Sequence, residues 1–301
     1  SINGYEVYPS ALLNMTKLAP YRDRLGARQV SMGQNGTQAW LQMDGTWLER
    51  DQEASLSGTS FEQNFSEITA GVDFATQGAL TAGVNLRFSE GNTSINGPSG
   101  ASTIKTEGYG IGGSLTWHLA GGVYVDTQAG YMAFSSDLPG NADNSGHGLA
   151  TSVEVGRSFA LPSDGWSMTQ RAQLSYSMVD FDDMTGSFGE KVRLRDGESL
   201  TGRFGLALNR DWSGANGAAN SVFGAMDLVH EVMPDTAVDV TVLNTTTFAR
   251  SAAPNRIEFG LGGKIGLSET SYLHGALAVA QDFGDSDSQQ ISANFGFNIR
   301  W

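Results

Sequence analysis

Residues 290–301, QISANFGFNIRW, alternate between apolar and polar or small side chains without interruption. Every second residue from Ile291 to Trp301 is apolar, and the residues between them are Ser, Asn, Gly or Arg. Successive side chains of a β-strand point to opposite faces of the sheet. A period of two therefore predicts a strand with one apolar face at the end of the chain.

The same alternation recurs upstream, at residues 80–89, 109–117, 200–209 and 257–267. A water-soluble β-sandwich alternates in the same way, so the period alone leaves both classes open. Each segment has about ten residues, which suits the roughly 9–11 residues of a tilted strand crossing a bilayer. Strands of soluble proteins are usually shorter, at about 5–6 residues. The length of the segments therefore favours membrane-spanning strands.

The polar face of these strands carries charges in mid-strand. In a membrane barrel such residues would face a wet lumen while the apolar face meets lipid. The predicted pore-lining residues are Arg87, Asp126, Glu154, Arg171, Arg203, Asp227, Glu258 and Lys264. Aromatic residues near one end of the strands are predicted to form an interfacial girdle: Phe74, Trp117, Phe159, Trp166, Trp212, Tyr272 and Trp301.

Twelve strands are predicted, near residues 38–50, 61–75, 79–90, 104–119, 122–135, 146–160, 165–182, 198–212, 220–232, 255–268, 271–284 and 289–301. Short connections alternate with longer polar ones, as expected for periplasmic turns opposite outer loops. Residues 236–247, TAVDVTVLNTTT, also have the composition of a strand, but counting them would give an odd total. We interpret them as part of a hairpin at residues 233–254 that stands above the membrane.

The first thirty residues differ from the rest. Leu12, Met15 and Leu18 recur at helical spacing, Pro9 suits a first helical turn, and Pro20 should kink or break the helix. Four basic and two acidic residues give this segment a charge of +2, which leaves −16 for the remainder. A twelve-stranded barrel has room for roughly one helix, and a cationic helix in an anionic lumen is electrostatically favourable.

These features predict a helix inside the pore, and a helix packed outside the barrel or a plain linker is the alternative. The predicted pore-helix residues are Asn14, Lys17, Arg22, Arg24 and Arg28. The predicted division is therefore a linker and pore-plugging helix at residues 1–30 and a transmembrane β-barrel at residues 31–301.

Composition restricts the function further. The formal net charge of −14 argues against a nucleic-acid partner, which would want a basic surface. The chain has no cysteine, which excludes disulfides and thiolate metal sites. Its start, Ser1-Ile2-Asn3-Gly4, is no signal peptide. Since a secreted precursor would need one, we expect an upstream portion to be missing from this sequence.

Several blocks together resemble the translocator β-domain of autotransporters, the type V secretion proteins, in their pertactin-like branch. Residues 5–29, YEVYPSALLNMTKLAPYRDRLGARQ, with WLQMDGTW at 40–47, look like the linker helix and first strand of that family. LTGRFGLAL at 200–208, VFGAMDLVHEV at 222–232, IEFGLGGKIGL at 257–267 and FGFNIRW at 295–301 resemble its last strands. The resemblance covers nearly the whole chain, and it rests on the order and spacing of the blocks.

The resemblance implies a twelve-stranded barrel in the outer membrane of a Gram-negative bacterium, with a helix in the pore. It implies an N-terminal passenger domain exported to the cell surface. Implied partners also include the bilayer, lipopolysaccharide, periplasmic chaperones and the outer-membrane insertion machinery. That machinery would recognise the last strand through Phe295, Phe297, Ile299 and Trp301. Some relatives cleave at an Asn-Asn pair in the helix, but Met15 follows Asn14 here, so this route is not expected.

We expect no enzymatic activity, no cofactor and no metal. The four histidines lack the spacing of a metal motif such as HExxH, and no GxSxG elbow is present. Two alternative functions stay open at this point. One is a passive outer-membrane porin, and the other is an outer-membrane hydrolase using an acidic cluster around Asp180 with His147.

Overall fold

The structure is a computed structural model. The part of the chain that it describes contains two α-helices and fifteen strands. The structure describes residues 2–25, 36–52, 55–75, 79–140, 142–186, 188–215, 217–284 and 288–301. The helices are α1 (Ile2–Thr16) and α2 (Tyr21–Leu25). The strands are β1 (Gly36–Arg50), β2 (Ser60–Ala75), β3 (Leu80–Gly97), β4 (Gly100–His118), β5 (Val123–Leu138), β6 (Ala142–Ala160), β7 (Trp166–Phe181), β8 (Met184–Thr185), β9 (Lys191–Ser213), β10 (Ala219–Glu231), β11 (Asp235–Thr241), β12 (Thr245–Ser251), β13 (Asn255–Gly266), β14 (Ser271–Asp282) and β15 (Gln289–Arg300).

Twelve of the strands close into one antiparallel barrel. Its order around the wall is β1 to β7, β9, β10 and β13 to β15, and β15 pairs back onto β1. The closing register runs from Gln38 opposite Arg300 to Glu49 opposite Gln289. Closure leaves no unpaired strand edge in the wall, as a bilayer requires. The prediction of a twelve-stranded barrel is confirmed.

Strands β11 and β12 form a hairpin outside this cycle. β11 pairs with the first part of β9, from Lys191 to Gly197, beyond the region in which β9 pairs with β10. β9 is 23 residues long, and it pairs first with the hairpin and then with the barrel wall. The hairpin predicted at residues 233–254 is present, and it stands at the end of the barrel that carries the long loops.

The two ends of the barrel differ in their connections. At one end, tight turns join the strands, for example at Ala120–Gly122, where Gly121 and Gly122 have φ angles of 74° and 76°. Side chains disfavour positive φ, so glycine suits such a turn. The long loops lie at the other end. The start of β1 and the end of β15 both lie at the short-turn end, which in outer-membrane barrels faces the periplasm.

The outer wall is apolar, with exposed side chains such as Leu86, Ile111, Leu261 and Phe295. Phe74, Trp117, Trp212 and Trp301 of the predicted girdle are exposed near the short turns, and Phe159 and Trp166 are half-buried. The prediction for Tyr272 was wrong. Because the even-numbered residues of β14 point inward, its ring is buried in the lumen, where the Lys264 ammonium lies 5.1 Å from the ring centroid.

Both helices lie inside the barrel. α1 contacts strands on several sides of the wall, and residues 17–20 separate it from α2, as the position of Pro20 predicts. The prediction that Pro9 occupies a first turn was wrong, because the helix begins at Ile2 and Pro9 lies within it. Among the described residues, no helix has the length and apolarity needed to cross a membrane.

Candidate functional site: the plugged pore

Helix α1 fills the half of the lumen nearest the long loops, and it is apolar on almost every side. Its buried side chains include Tyr5, Val7, Tyr8, Leu12, Leu13 and Met15. They pack with inward-facing residues of the wall, among them Phe61, Ile95, Ile104, Phe134, Phe181 and Val238. This part of the barrel therefore has a hydrophobic core rather than an open channel.

Polar side chains fix the rotation and height of α1 within that core. The Tyr5 hydroxyl donates to Glu190 at 3.2 Å, and the Tyr8 hydroxyl donates to Asn144 at 3.2 Å. Near the end of the helix, the Asn14 amide donates to the Gln63 side chain at 2.9 Å. Buried polar groups need such partners, so each bond favours one position of the helix.

Glycines in the wall let the helix approach closely. A Cβ on Gly91 would lie 2.8 Å from Met15 Sδ, and one on Gly130 would lie 3.2 Å from Leu18 Cδ2. A Cβ on Gly148 would overlap the side chain of Thr16. The last turn of α1 and the residues after it thus pack directly against the backbone of β3, β5 and β6.

Arg87 in β3 binds the C-terminal end of α1. Its guanidinium donates to the backbone carbonyls of Met15 and Lys17, both at 3.4 Å, and pairs with Glu67 at 2.8 Å. The last carbonyls of a helix lack internal partners and carry partial negative charge, so a cation is favourable there. Arg87 therefore ends the helix at this depth in the pore.

Helix α2 occupies the half of the lumen nearest the short turns, and its contacts are ionic. The Arg22 guanidinium lies 3.0 Å from Asp227 and 3.8 Å from Glu258. Arg24 pairs with Asp126. The backbone N–H of Tyr21 donates to Glu154 at 3.1 Å. The two halves of the plug are thus held by different forces. Apolar packing holds α1 near the long loops, and ion pairs hold α2 near the short turns.

The wall charges around α2 also bind one another. Arg171 and Arg203 lie 2.5 Å and 3.2 Å from Asp227, and Arg203 also pairs with Glu258 at 3.0 Å. Asp227 is 1% exposed and has three guanidinium partners, counting Arg22. Such a network compensates the charges that burial removes from water.

All eight wall residues predicted to line the pore point into the lumen. Arg171, Arg203, Asp227, Glu258, Glu154 and Asp126 lie in or beside the network around α2, Arg87 holds the end of α1, and Lys264 lies farther toward the short turns. Of the predicted pore-helix residues, Asn14 is in α1, Arg22 and Arg24 are in α2, and Lys17 lies between them, 3.8 Å from Glu231. Arg28 lies outside the described residues.

Sequence reasoning missed the apolar core around α1. The positive charge of the segment lies on Lys17 and α2, while the only charged side chain of α1 is Glu6, which accepts hydrogen bonds from Ser55 and from the Ser57 backbone N–H. The sequence did contain one indication of this apolar core. Near the long loops, strands such as β3 and β5 place large apolar residues, Ile95 and Phe134, on the face that is polar elsewhere.

The described side chains of the lumen offer apolar packing and ion pairs. No group of His, Asp and Glu residues suited to a metal ion occurs in the described ranges. His147 and Asp180 are opposite each other on β6 and β7. The imidazole stacks 6.1 Å from the Tyr131 ring, while the carboxylate accepts from the backbone N–H of Phe181.

The model of the autotransporter beta-domain family matches residues 39–278. This chain belongs to that family. Its translocator barrel is an outer-membrane component of Gram-negative bacteria, in accordance with the predicted family, function class and location. A relative from Brucella suis biovar 1, the adhesin BmaC autotransporter, is 30% identical over 329 residues, covering 99% of this chain and 9% of the relative. The pertactin autotransporter of Bordetella bronchiseptica is 24% identical, covering 85% and 29%.

Solved structures of the family have the same fold. The transport unit of the autotransporter AIDA-I from Escherichia coli aligns with a TM-score of 0.76 at 15% identity, over 99% of both chains. The translocator domain of the autotransporter NalP from Neisseria meningitidis aligns with a TM-score of 0.75 at 15% identity, over 100% of both. The chain thus spans a small part of the length of the curated relatives it matches and the full length of solved translocator units.

Proposed function

We propose that this translocator barrel anchors an N-terminal passenger domain in the outer membrane and exports it to the cell surface through, or together with, the pore. In this proposal residues 1–30 are the linker and plug, and residues 31–301 are the barrel. The boundary between these parts lies outside the described residues.

The observation that supports the proposal best is the direction in which the chain threads the lumen. Asn3 donates to the Gly100 carbonyl at the long-loop end, whereas Tyr21 lies beside His118 and Tyr124 near the short turns. The chain then enters β1 at its short-turn end. Any segment preceding Ile2 would therefore emerge among the outer loops.

The pore residues have distinct roles in this proposal. Arg22, Arg24, Arg87, Asp126, Glu154, Arg171, Arg203, Asp227 and Glu258 hold the plug after export. Lys17 and Lys264 contribute charge to the lumen, and Arg28 would continue the basic segment. Phe295, Phe297, Ile299 and Trp301 project outward from the end of the last strand, as a signal for the insertion machinery should. Chaperones in the periplasm and lipopolysaccharide around the outer rim would be the remaining partners.

An epitope attached before residue 1 tests the direction of export. We expect antibody and added protease to reach that epitope on intact cells. A matched epitope in the short turn at residues 213–219 should become accessible only after the outer membrane is permeabilised. An N-terminal epitope that stays protected on intact cells, in a barrel that shifts normally between unboiled and boiled samples on a gel, would contradict the proposal.

Conductance separates the plugged translocator from a passive porin. In planar bilayers the intact chain should be nearly closed, and a variant lacking residues 1–25 should show a much larger single-channel conductance. A variant with only the hairpin tip removed, residues 242–244, should stay closed because that tip lies outside the wall. A steady open conductance of the intact chain would favour the porin.

A further inference from the structure

Two arginines on the membrane-facing wall interrupt its apolar character. Among the lysine and arginine side chains of the described residues, only Arg157 and Arg210 project outward near the short turns. Both are exposed. The other outward-facing basic residues in the described ranges lie toward the long loops, as Lys105 and Arg193 do. A cation on the lipid face is destabilising near the bilayer midplane and tolerated near the interfaces.

The two arginines lie on one patch of wall near the short turns, offset by four residues along the strand between them. Arg157 precedes the end of β6, Ala160, by three residues, and Arg210 precedes the end of β9, Ser213, by three residues. Only β7 lies between these strands. On β7, Gln170 is directly opposite Arg157, and Trp166 is directly opposite Arg210. The patch therefore consists of β6, β7 and β9 at the level of the aromatic girdle.

Aromatic rings and the backbone hold both guanidinium groups in place. Arg157 Cζ lies 4.7 Å from the centroid of Phe159, and its Nε donates to the Gly121 carbonyl at 3.2 Å. Arg210 Cζ lies 5.7 Å from the centroid of Trp166. Neither arginine has a carboxylate partner among the described residues. A stacked guanidinium keeps N–H groups available for a planar or tetrahedral anion.

The chemistry that matches this patch is a phosphate group at the depth of lipid headgroups. The chain has a net charge of −14, which already favours solubility. Two arginines without carboxylate partners near the short turns are therefore not needed for that purpose. Guanidinium groups bind phosphate oxygens through paired N–H donors. The exposed amide of Gln170 beside Arg157 can donate to a further oxygen.

We propose that Arg157, Gln170 and Arg210 bind the headgroups of acidic glycerophospholipids in the periplasmic leaflet. Acidic headgroups are favoured over zwitterionic ones because each arginine attracts negative charge, and an ammonium group beside the phosphate would be repelled. The site lies outside the pore and fixes the height and rotation of the β6–β9 side of the barrel relative to the bilayer.

Lipid retention tests the proposal. The purified barrel, titrated in detergent with phosphatidylglycerol or phosphatidylethanolamine, would be analysed by native mass spectrometry for bound lipid. Each basic group near an anionic lipid surface is worth a preference of roughly fivefold, so the wild-type barrel should retain phosphatidylglycerol at least about fivefold better. The double variant Arg157→Gln with Arg210→Gln should lose that preference.

Two further variants make the result decisive. Lys105→Gln removes an exposed cation near the long loops and should keep the preference. Arg157→Lys with Arg210→Lys keeps the charge and removes the paired donors, so it should retain part of the preference even if the double glutamine variant folds poorly. An equal preference in wild type and the folded double glutamine variant, or no preference in wild type, would overturn the proposal.

Discussion

At the scale of single residues, Asp227 shows how helix α2, the half of the plug near the short turns, is held in the lumen. Its carboxylate lies within 3.2 Å of three guanidinium groups, those of Arg22, Arg171 and Arg203. Asp227→Asn would leave these cations facing one another with their common counter-charge removed. Breaking a buried ion pair by removing one partner costs about 3–5 kcal/mol. We expect a loss of that size in the free energy of unfolding by urea from lipid vesicles.

Asp239→Asn is the matched control for this substitution. Asp239 on the hairpin pairs with Arg195 of β9 at 3.2 Å, but the Arg195 side chain is 58% exposed. Exposed ion pairs contribute about 0–1 kcal/mol. Equal losses in the two variants would show that Asp227 has no special role in the lumen.

Glycine in the wall provides a second test at the residue scale. Gly148→Val would force the new side chain into Thr16, and overpacking typically costs about 1–3 kcal/mol. We expect this variant to unfold at lower urea concentration and to open more often in planar bilayers. Gly113→Val is the control, since Gly113 faces outward and a Cβ there lies 3.6 Å from its nearest neighbour. Identical behaviour of both variants would argue against close packing of the helix.

At the scale of elements, the sequence was enough to predict the strands, but not the residues that pack against helix α1. A period of two and a length set by the bilayer are local properties, so the sequence alone identified the twelve wall strands and set the hairpin apart. The partners of α1 depend on the register of strands far apart in the chain. Thus the Tyr5–Glu190 contact joins residues 185 positions apart, and no local pattern indicates it.

That contact predicts how α1 responds to acid. Burial alone would raise the pKa of Glu190, but hydrogen bonds from its own and the Phe188 backbone N–H groups and from the Tyr5 hydroxyl hold this pKa below its usual range. Stability from such a group is present above its unfolded-state pKa and is lost as pH falls through the lower folded-state value. We expect the protection factors of the amide hydrogens near Tyr5, which correct for the intrinsic pH dependence of exchange, to fall as the pH falls through that region.

Glu190→Gln separates this effect from general acid sensitivity. The variant should show faster exchange near Tyr5 already at neutral pH and a smaller further change on acidification. Exchange in the middle of the wall strands, for example at Leu206, should be the same in both proteins. An unchanged acid response near Tyr5 in the variant would assign the effect to another group.

At the scale of the whole molecule, the lumen has two regions in series. The region near the long loops is closed by the apolar core around α1, and the region near the short turns is closed by the ion pairs of α2. Each large apolar side chain that is buried contributes roughly 1.5–3 kcal/mol, against the entropy lost when the helix is ordered. The outer region should therefore carry most of the plug's contribution to barrel stability.

Two variants distinguish these contributions. Deleting residues 2–16 exposes the inward-facing Phe61, Ile95 and Phe134 to water, so we expect a clear fall in the temperature at which the barrel unfolds on a gel. Arg22→Gln with Arg24→Gln leaves this core intact, so it should raise channel opening in bilayers with a smaller fall in that temperature. Because both variants release part of the plug, both should conduct more than wild type. Equal thermal shifts would mean that the apolar core around α1 does not stabilise the barrel more than the ion pairs of α2.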